Sequence, residues 1–309
     1  MSRNIYKKIL LLGGAGFIGS STAQKLYEMG LEILVVDNLS TGRIENLDKR
    51  INFVQLDIGN YAQMQKIFKT FKPDLVFNFA FNVLVPESIK NPSLEIKSIK
   101  DHLMILELCK LFNVKKNVFP STGFVYGNLN KKTAIKESQQ TSLENPYSIA
   151  KFTAEKFTVF YSKKFNLDYT IFRYAAIYGP GQITGAMSDY IRCAKKNINC
   201  HFWGTNKSRD YVFITDTVNA NILSFNQKSS QKIINIGTGK GTNLLILYKK
   251  ICKILNVKEK IFINDVIIGE QDNYKLDNTY AKKVLGWEPT IDLNKGLSQT
   301  ISYHLKNNL

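Results

Sequence analysis

Up to about residue 175, short apolar runs alternate with longer segments of helical period. The runs at 5–12, 32–36, 52–54, 75–79, 117–120 and 169–172 are almost continuously apolar, as strands covered by helices on both sheet faces must be. Between them the periodicity predicts helices over 16–29, 61–71, 92–112 and 146–164. This alternation is that of an α/β fold with a doubly wound parallel sheet. After about residue 175 the rhythm loosens into Gly-rich loops, with shorter helices expected over 188–196, 215–225, 243–255, 279–285 and 293–305. We therefore expect a large α/β lobe over 1–175 and a smaller, mixed α/β lobe over 176–309, with some chain crossing between them and a cleft where they meet.

Composition narrows the classes. A chain of 309 residues, 44% hydrophobic, buries a substantial core, which excludes a disordered tail or a disulfide-stapled miniprotein. No apolar stretch reaches the roughly 18 residues a spanning helix needs, so no membrane partner is expected. The basic start (Arg3, Lys7, Lys8) followed by an apolar run resembles a leader peptide, but the glycines at 13, 14, 16 and 19 have another use. The formal charge of +17 raises the question of nucleic acid. Only six of the 42 basic residues are arginines, the lysines are spread along the chain, and no basic run of five occurs. We read the charge as solvated surface and expect no nucleic-acid partner. Cys109, Cys193, Cys200 and Cys252 form no C-x-x-C pair, which argues against a zinc site or a disulfide framework and for a reducing, cytoplasmic setting.

The first strand runs into Gly13-Gly14-Ala15-Gly16-Phe17-Ile18-Gly19 and then a helical pattern. Glycines at this spacing permit a tight turn, close approach of a pyrophosphate to the backbone, and access to the N–H groups of a helix start. A glycine turn made only for packing has the same spacing. The context argues against it, because Asp37 ends the second strand where the ribose hydroxyls of a dinucleotide lie, and its charge repels a 2′-phosphate, favouring NAD over NADP. Asp57, past the third strand, is placed to receive the adenine amino group.

A second constellation is Tyr147 and Lys151, on a helix that Asn145-Pro146 starts. At i and i+4 they share a face, so the ammonium is expected to lower the phenol from its usual value of about 10 toward working pH. Thr122 closes the preceding strand in Pro120-Ser121-Thr122-Gly123-Phe124-Val125-Tyr126-Gly127, and can bond the same substrate oxygen from the strand's C-terminal end. A Thr, Tyr and Lys trio beside a dinucleotide is apparatus for hydride transfer with a proton relay.

With these residues in place the chain resembles the extended short-chain dehydrogenases/reductases, within the nucleotide-sugar epimerase/dehydratase family. Further ordered matches are Arg173-Tyr174-x-x-Ile177-Tyr178-Gly179-Pro180, Arg209-Asp210-Tyr211-Val212, Asn235-Ile236-Gly237-Thr238-Gly239 and Leu285-Gly286-Trp287-x-Pro289. The resemblance implies that Tyr147 is the acid/base, Lys151 holds the nicotinamide ribose and Thr122 aids proton transfer. It also implies that Gly13, Gly16, Phe17, Ile18, Gly19, Asp37, Asn38, Asp57, Ile58 and Ala80 hold NAD. Phe124, Tyr274 and Arg209 join Thr122 and Tyr147 around a nucleotide-diphosphate sugar, with Arg209 at the diphosphate. A structural ion pair of Arg209 with Asp210 or Asp216 is the alternative. The resemblance further implies a homodimer through the helices at 92–112 and 146–164, which carry apolar residues beyond the needs of one sheet face: Leu94, Ile99, Leu103, Ile105, Leu108, Phe152, Phe157, Phe160 and Tyr161.

The family's dehydratases and decarboxylase carry acidic residues just after the Thr, and Gly123-Phe124 offers no carboxyl. What remains is oxidation and re-reduction at carbon 4 through a 4-ketone, a 4-epimerase, or half of that cycle, a one-way 4-dehydrogenase or 4-ketoreductase. Three polar contacts common in the family's 4-epimerases are replaced here by Ala176, Ile267 and Val83, which favours the second reading. A non-catalytic NAD-binding regulator is the third, and the intact Thr122, Tyr147 and Lys151 set argues against it.

Overall fold

The computed structural model describes residues 6–81, 85–128, 133–265 and 273–307. Val83 and Ile267 lie outside the described residues. The first half forms β1 (Lys8–Leu12), α1 (Phe17–Glu28), β2 (Glu32–Asp37), β3 (Asn52–Gln55), α2 (Tyr61–Phe71), β4 (Leu75–Asn78), α3 (Val85–Lys90), α4 (Ser93–Leu111), β5 (Lys116–Thr122), α5 (Pro146–Phe165) and β6 (Asp168–Tyr174). The apolar runs become strands because both of their faces are covered. Ile9 and Leu11 enter one core layer and Leu10 and Leu12 the opposite one, all fully buried.

The second half adds β7 (Ala176–Tyr178), α6 (Ala186–Lys196), β8 (Cys200–Trp203), β9 (Ser208–Phe213), α7 (Ile214–Leu223), β10 (Lys232–Ile236), β11 (Gly241–Asn243), α8 (Leu244–Leu255), β12 (Ile261–Asn264), α9 (Thr279–Leu285) and α10 (Leu293–Lys306). The helices fall where the pattern put them. The strands β7 to β12 were not foreseen, because they span only three to six residues, too short for a period to show, and β9 and β11 also carry Ser, Arg, Asp or Gly. Five of them pair in two small sheets, β11-β9-β7 and β12-β8.

The main sheet is parallel throughout, in the order β10-β6-β5-β4-β1-β2-β3. The order reverses at β1 and β4, and a ligand crevice opens at the C-terminal ends of strands that part in this way. β10 comes from the second half and pairs with β6, Ile233 beside Ile171 and Ile234 beside Phe172. Part of the second half has its own core, centred on Tyr178, Tyr190, Phe202, Phe213 and Tyr248, while Val212, Leu276, Leu285 and Trp287 join the core of the first half.

α1 and α7 pack together, as do α4 and α5. The apolar excess expected on α4 and α5 divides. Ile105, Leu108 and Tyr161 are core residues of this chain, because these helices bury that side against each other and the sheet. Leu94, Ile96, Ile149 and Phe160 stay exposed. No helix among the described residues is long and apolar enough to cross a membrane.

Candidate active site

β1 ends against a turn that needs glycine. Gly13 has φ +71°, and a Cβ there would lie 2.6 Å from the Ala80 backbone nitrogen, at the end of β4. A Cβ on Gly19 would lie 2.5 Å from the Gly13 carbonyl, so its absence lets α1 settle on the turn. Gly16 caps α1 with extended backbone and no side-chain hydrogen bond, and Phe17 and Ile18 follow in the first turn. An uncapped helix start of this kind leaves N–H groups for an anion.

Asp37, at the end of β2, is fixed from both sides. Its Oδ2 accepts the Ala15 N–H at 3.0 Å and its Oδ1 the Leu39 N–H at 2.8 Å. Asn38 reaches Asp57 at 3.5 Å, and Asp57 also accepts the Gly59 N–H at 2.8 Å and Lys97 Nζ at 3.1 Å. The Gly59 bond, helped by Lys97 and Asn38 and opposed by burial, holds the Asp57 carboxyl below its ordinary value. Ile58 is buried beside it. A glycine-rich turn, a helix start without a side-chain cap and a carboxylate fixed beside them fit the pyrophosphate and ribose of NAD.

The second group gathers at the C-terminal end of β5. Thr122 is its last residue, and the Thr122 Oγ1 accepts the Phe124 N–H at 3.2 Å across a tight turn. α5 starts at a reciprocal cap, in which Asn145 Oδ1 accepts the Ser148 N–H at 2.9 Å and the Asn145 N–H donates to Ser148 Oγ at 3.3 Å, with Pro146 in the first turn. Tyr147 and Lys151 therefore occupy the first two turns, beside Thr122, and all three are buried. The Thr122 hydroxyl faces the Tyr147 phenol and favours its ionised form. Lys151 Nζ donates to the Pro120 carbonyl at 2.8 Å and lies 4.1 Å and 4.9 Å from the ring centres of Phe81 and Phe119.

This geometry corrects one expectation. Burial pushes the Tyr147 phenol above its ordinary value, the Thr122 hydroxyl pulls it down and Glu95 pushes it further up. The net direction is upward, so the nearness of Lys151 does not bring the phenol toward working pH against the cost of burial. The Lys151 nitrogen is committed to Pro120, stands 6.0 Å from the Tyr147 ring centre, and is itself pushed down to about 7 by burial, against the attraction of Glu95 and Glu155.

On the other side, Tyr274 and Arg209 of the second half join Phe124 in an aromatic and cationic wall. The Phe124 ring stands 6.1 Å from that of Tyr147 and 5.7 Å from that of Tyr274, and the Arg209 guanidinium lies 5.9 Å and 5.7 Å from Phe124 and Tyr274. Asp210 and Asp216 serve the backbone. Asp210 accepts N–H groups of Thr238, Gly239 and Leu276, and Asp216 those of Thr290 and Ile291. Gly123 has a use beyond lacking a carboxyl, for a Cβ there would come within 3.1 Å of the Tyr274 ring.

Sequence reasoning missed the polar groups behind the trio. Glu155 accepts Arg173 at 2.9 and 2.6 Å and Ser121 at 2.5 Å, while Arg173 also donates to Tyr126 at 2.9 Å, and Tyr126 to Asn235 at 2.8 Å. His102 bonds Asn78 at 3.0 Å and Thr158 at 2.9 Å, and burial followed by the Lys151 charge pushes it down to about 3. The available signal was spacing: Glu155 follows Lys151 at i+4, and Glu95 and His102 lie two turns apart on one helix face.

Residues 9–237 match the profile of the NAD dependent epimerase/dehydratase family. A UDP-glucose 4-epimerase of Thermotoga maritima, solved with UDP-glucose, is 35% identical with a TM-score of 0.93, over 98% of this chain and 100% of that one. A UDP-glucose 4-epimerase of Thermus thermophilus, solved with NAD, is 26% identical with a TM-score of 0.92, over 96% and 98% of the two chains. A UDP-glucuronate 4-epimerase of Thermodesulfobacterium geofontis is 31% identical over 96% of each chain. On its sequence, its fold and the placing of its glycine turn and buried trio, the chain belongs to the NAD dependent epimerase/dehydratase family.

Proposed function

We propose that the chain is an NAD-dependent nucleotide-sugar 4-epimerase, acting at carbon 4 of the glycosyl unit through a 4-keto intermediate. The observation that carries this is the convergence of Thr122, Tyr147 and Lys151 at the end of β5, with no carboxyl at Gly123 or Phe124 to drive an elimination. NAD supplies the hydride acceptor and, in its oxidised form, a positive ring. Gly13, Gly16, Gly19, Phe17, Ile18 and Ala80 would hold its phosphates and nicotinamide side, and Asp37, Asn38, Asp57 and Ile58 its adenosine.

Tyr147 takes the proton of the carbon-4 hydroxyl as the hydride leaves that carbon, and returns it to the same oxygen when the hydride comes back. Thr122 orients that oxygen and faces the phenol. Lys151 grips the nicotinamide ribose and adds positive charge to the site. Inversion requires the hydride to return to the opposite face of the ketone, so the glycosyl ring must turn while the diphosphate stays held. Arg209 suits that holding role, as a guanidinium binds phosphate oxygens bidentately. Phe124 and Tyr274 offer flat faces against which a sugar can turn.

In the same reading the active form is a homodimer joined through α4 and α5, whose exposed Leu94, Ile96, Ile149 and Phe160 need a cover. The four cysteines are free thiols, consistent with a cytoplasmic enzyme. Incubation with a panel of UDP sugars tests the proposal. Interconversion of 4-epimers with no net change in cofactor absorbance supports it. Stoichiometric NADH formation or consumption would replace it with a one-way dehydrogenase or ketoreductase, a reading favoured by Ala176, which stands where the family's 4-epimerases commonly carry a polar residue.

A further inference from the structure

The parallel sheet places the starts of α4 and α5 at the same edge, above the C-terminal ends of β4 and β5. Glu95 stands in the first turn of α4, Tyr147 and Lys151 in the first two turns of α5, and the two helices pack together. Glu95 is only 3% exposed, and Lys151 4%. His102, two turns further along the same face of α4, lies against the Phe119 ring at 4.4 Å, the ring that Lys151 Nζ approaches from 4.9 Å. The α4 face that carries Glu95 is thus the one turned to the reacting pair.

We propose that Glu95 is a positioning residue of this site, a buried carboxylate that keeps the Lys151 ammonium charged and so sets the pH range in which Tyr147 exchanges its proton. The inference rests on the 4-epimerase reading and adds to it a group outside the Thr122, Tyr147 and Lys151 trio.

The surroundings single out Glu95. From α5, Lys151 faces Tyr147 and Glu155, and Glu155 shares its charge with Arg173 of β6 through two bonds. From β5 it meets the Pro120 carbonyl, and from α4 it meets Glu95 and the neutral His102. On α3 both Glu87 and Lys90 are exposed. Tyr147 faces Thr122, Glu95, Phe124 and Tyr274, and the Arg209 guanidinium lies beyond the last two. Among the charges acting on Lys151, Glu95 comes ahead of Glu155, and it is also the charge that raises the Tyr147 phenol.

The direction follows from Coulomb's law. Removing the carboxylate destabilises the ammonium, which then loses its proton at lower pH, and it relieves the phenolate, which then forms at lower pH. Both limbs of a pH–rate profile move the same way. A side chain that only packs moves neither.

The test is Glu95→Gln in the holoenzyme, with Glu95→Ser as a second neutral variant and Glu95→Asp as the conservative one. Two readouts apply: the pH dependence of kcat for 4-epimer interconversion, and the titration of the Lys151 side chain by carbon-13 NMR, assigned with Lys151→Met. We expect both neutral variants to move the whole profile and the Lys151 midpoint to lower pH by about one pH unit, and Glu95→Asp to restore most of the wild-type behaviour. Folded neutral variants with wild-type midpoints, or reduced activity at unmoved midpoints, overturn the proposal. If Glu95→Gln does not fold, Glu95→Ser decides by the same criteria, and if neither folds, Glu95→Asp decides: a smaller move of the Lys151 midpoint and of the profile to lower pH supports the proposal, and unmoved midpoints overturn it. A wild type that interconverts no 4-epimers fails the function reading instead, while the NMR titration still judges Glu95.

Discussion

Lys151 gives its hydrogen bond to the carbonyl of Pro120, at 2.8 Å, and so ties the second turn of α5 to the strand that ends in Thr122. The ammonium thereby fixes the spacing between the two elements that hold the proton relay. Its removal should disturb both chemistry and cofactor, whereas removal of the phenol should disturb chemistry alone.

Tyr147→Phe keeps the ring and deletes the proton carrier. Turnover should fall by about 10² to 10⁴, while NAD affinity measured by calorimetry stays near wild type. Lys151→Met should lower both. Thr122→Val should cost least, since it removes hydrogen bonds worth roughly 0.5 to 1.5 kcal/mol each. Near-normal turnover in a folded Tyr147→Phe variant would end the proton-relay assignment.

Asp37 should make the chain prefer NAD(H) to NADP(H), through repulsion between its fixed carboxylate and a ribose phosphate. Calorimetric titration with both cofactors checks this, and equal affinity for the two would refute it. Asp37→Ala should narrow the gap and also lower thermal stability, because two backbone N–H groups lose their acceptor.

Stability carries a signature of Lys151. Its proton is lost at about 7 in the folded chain, against 10.5 for an ordinary lysine. Between those values the unfolded chain binds the proton and the folded chain does not, so this group makes stability rise with pH over that window, and its cost is complete below about pH 7. The melting temperature of the wild type relative to Lys151→Met should therefore climb from pH 7 to pH 10 in scanning calorimetry. A flat difference would mean that the ammonium is not desolvated.

Glu155 and Arg173 form a buried bidentate pair at 2.6 to 2.9 Å. Arg173→Met strands the carboxylate and should destabilise the chain by about 3 to 5 kcal/mol. Urea unfolding measures this, and a loss below 1 kcal/mol would show that water reaches the pair.

Light scattering should give twice the 35.2 kDa of one chain, and Phe160→Asp should shift the mass toward the single chain. A wild-type mass near one chain at all concentrations would remove the dimer from the reading.

The sequence was most informative where burial is complete. β1, β2 and β4 to β6 announce themselves because covered strands tolerate little but apolar residues, and the glycine turn because Gly13 and Gly19 meet backbone atoms. β9 was hidden by its own chemistry. Arg209-Asp210-Tyr211-Val212 read as a motif, and the short ladder that holds it leaves no period to detect. The site was legible as Thr122, Tyr147 and Lys151 because helical spacing is a one-dimensional fact. Glu95, His102 and the Arg173 pair were not, since a polar residue on a helix shows no sign of its burial until the neighbouring helix is in place. The electrostatic role of Lys151 was misjudged for the same reason, as spacing conveys proximity and not desolvation.

β10 reaches the edge of the main sheet only after an excursion of more than fifty residues beyond β6. The boundary near residue 175 is thus a division of labour rather than of folding. A chain that stopped there would leave β6 as an open edge strand, with Ile171 and Phe172 lacking the ladder that Ile233 and Ile234 provide. During synthesis the same edge waits until residue 236 has been made. Loop closure of that length is slow and leaves a strand template uncovered, so the first lobe should be the aggregation-prone species on the way to the native chain.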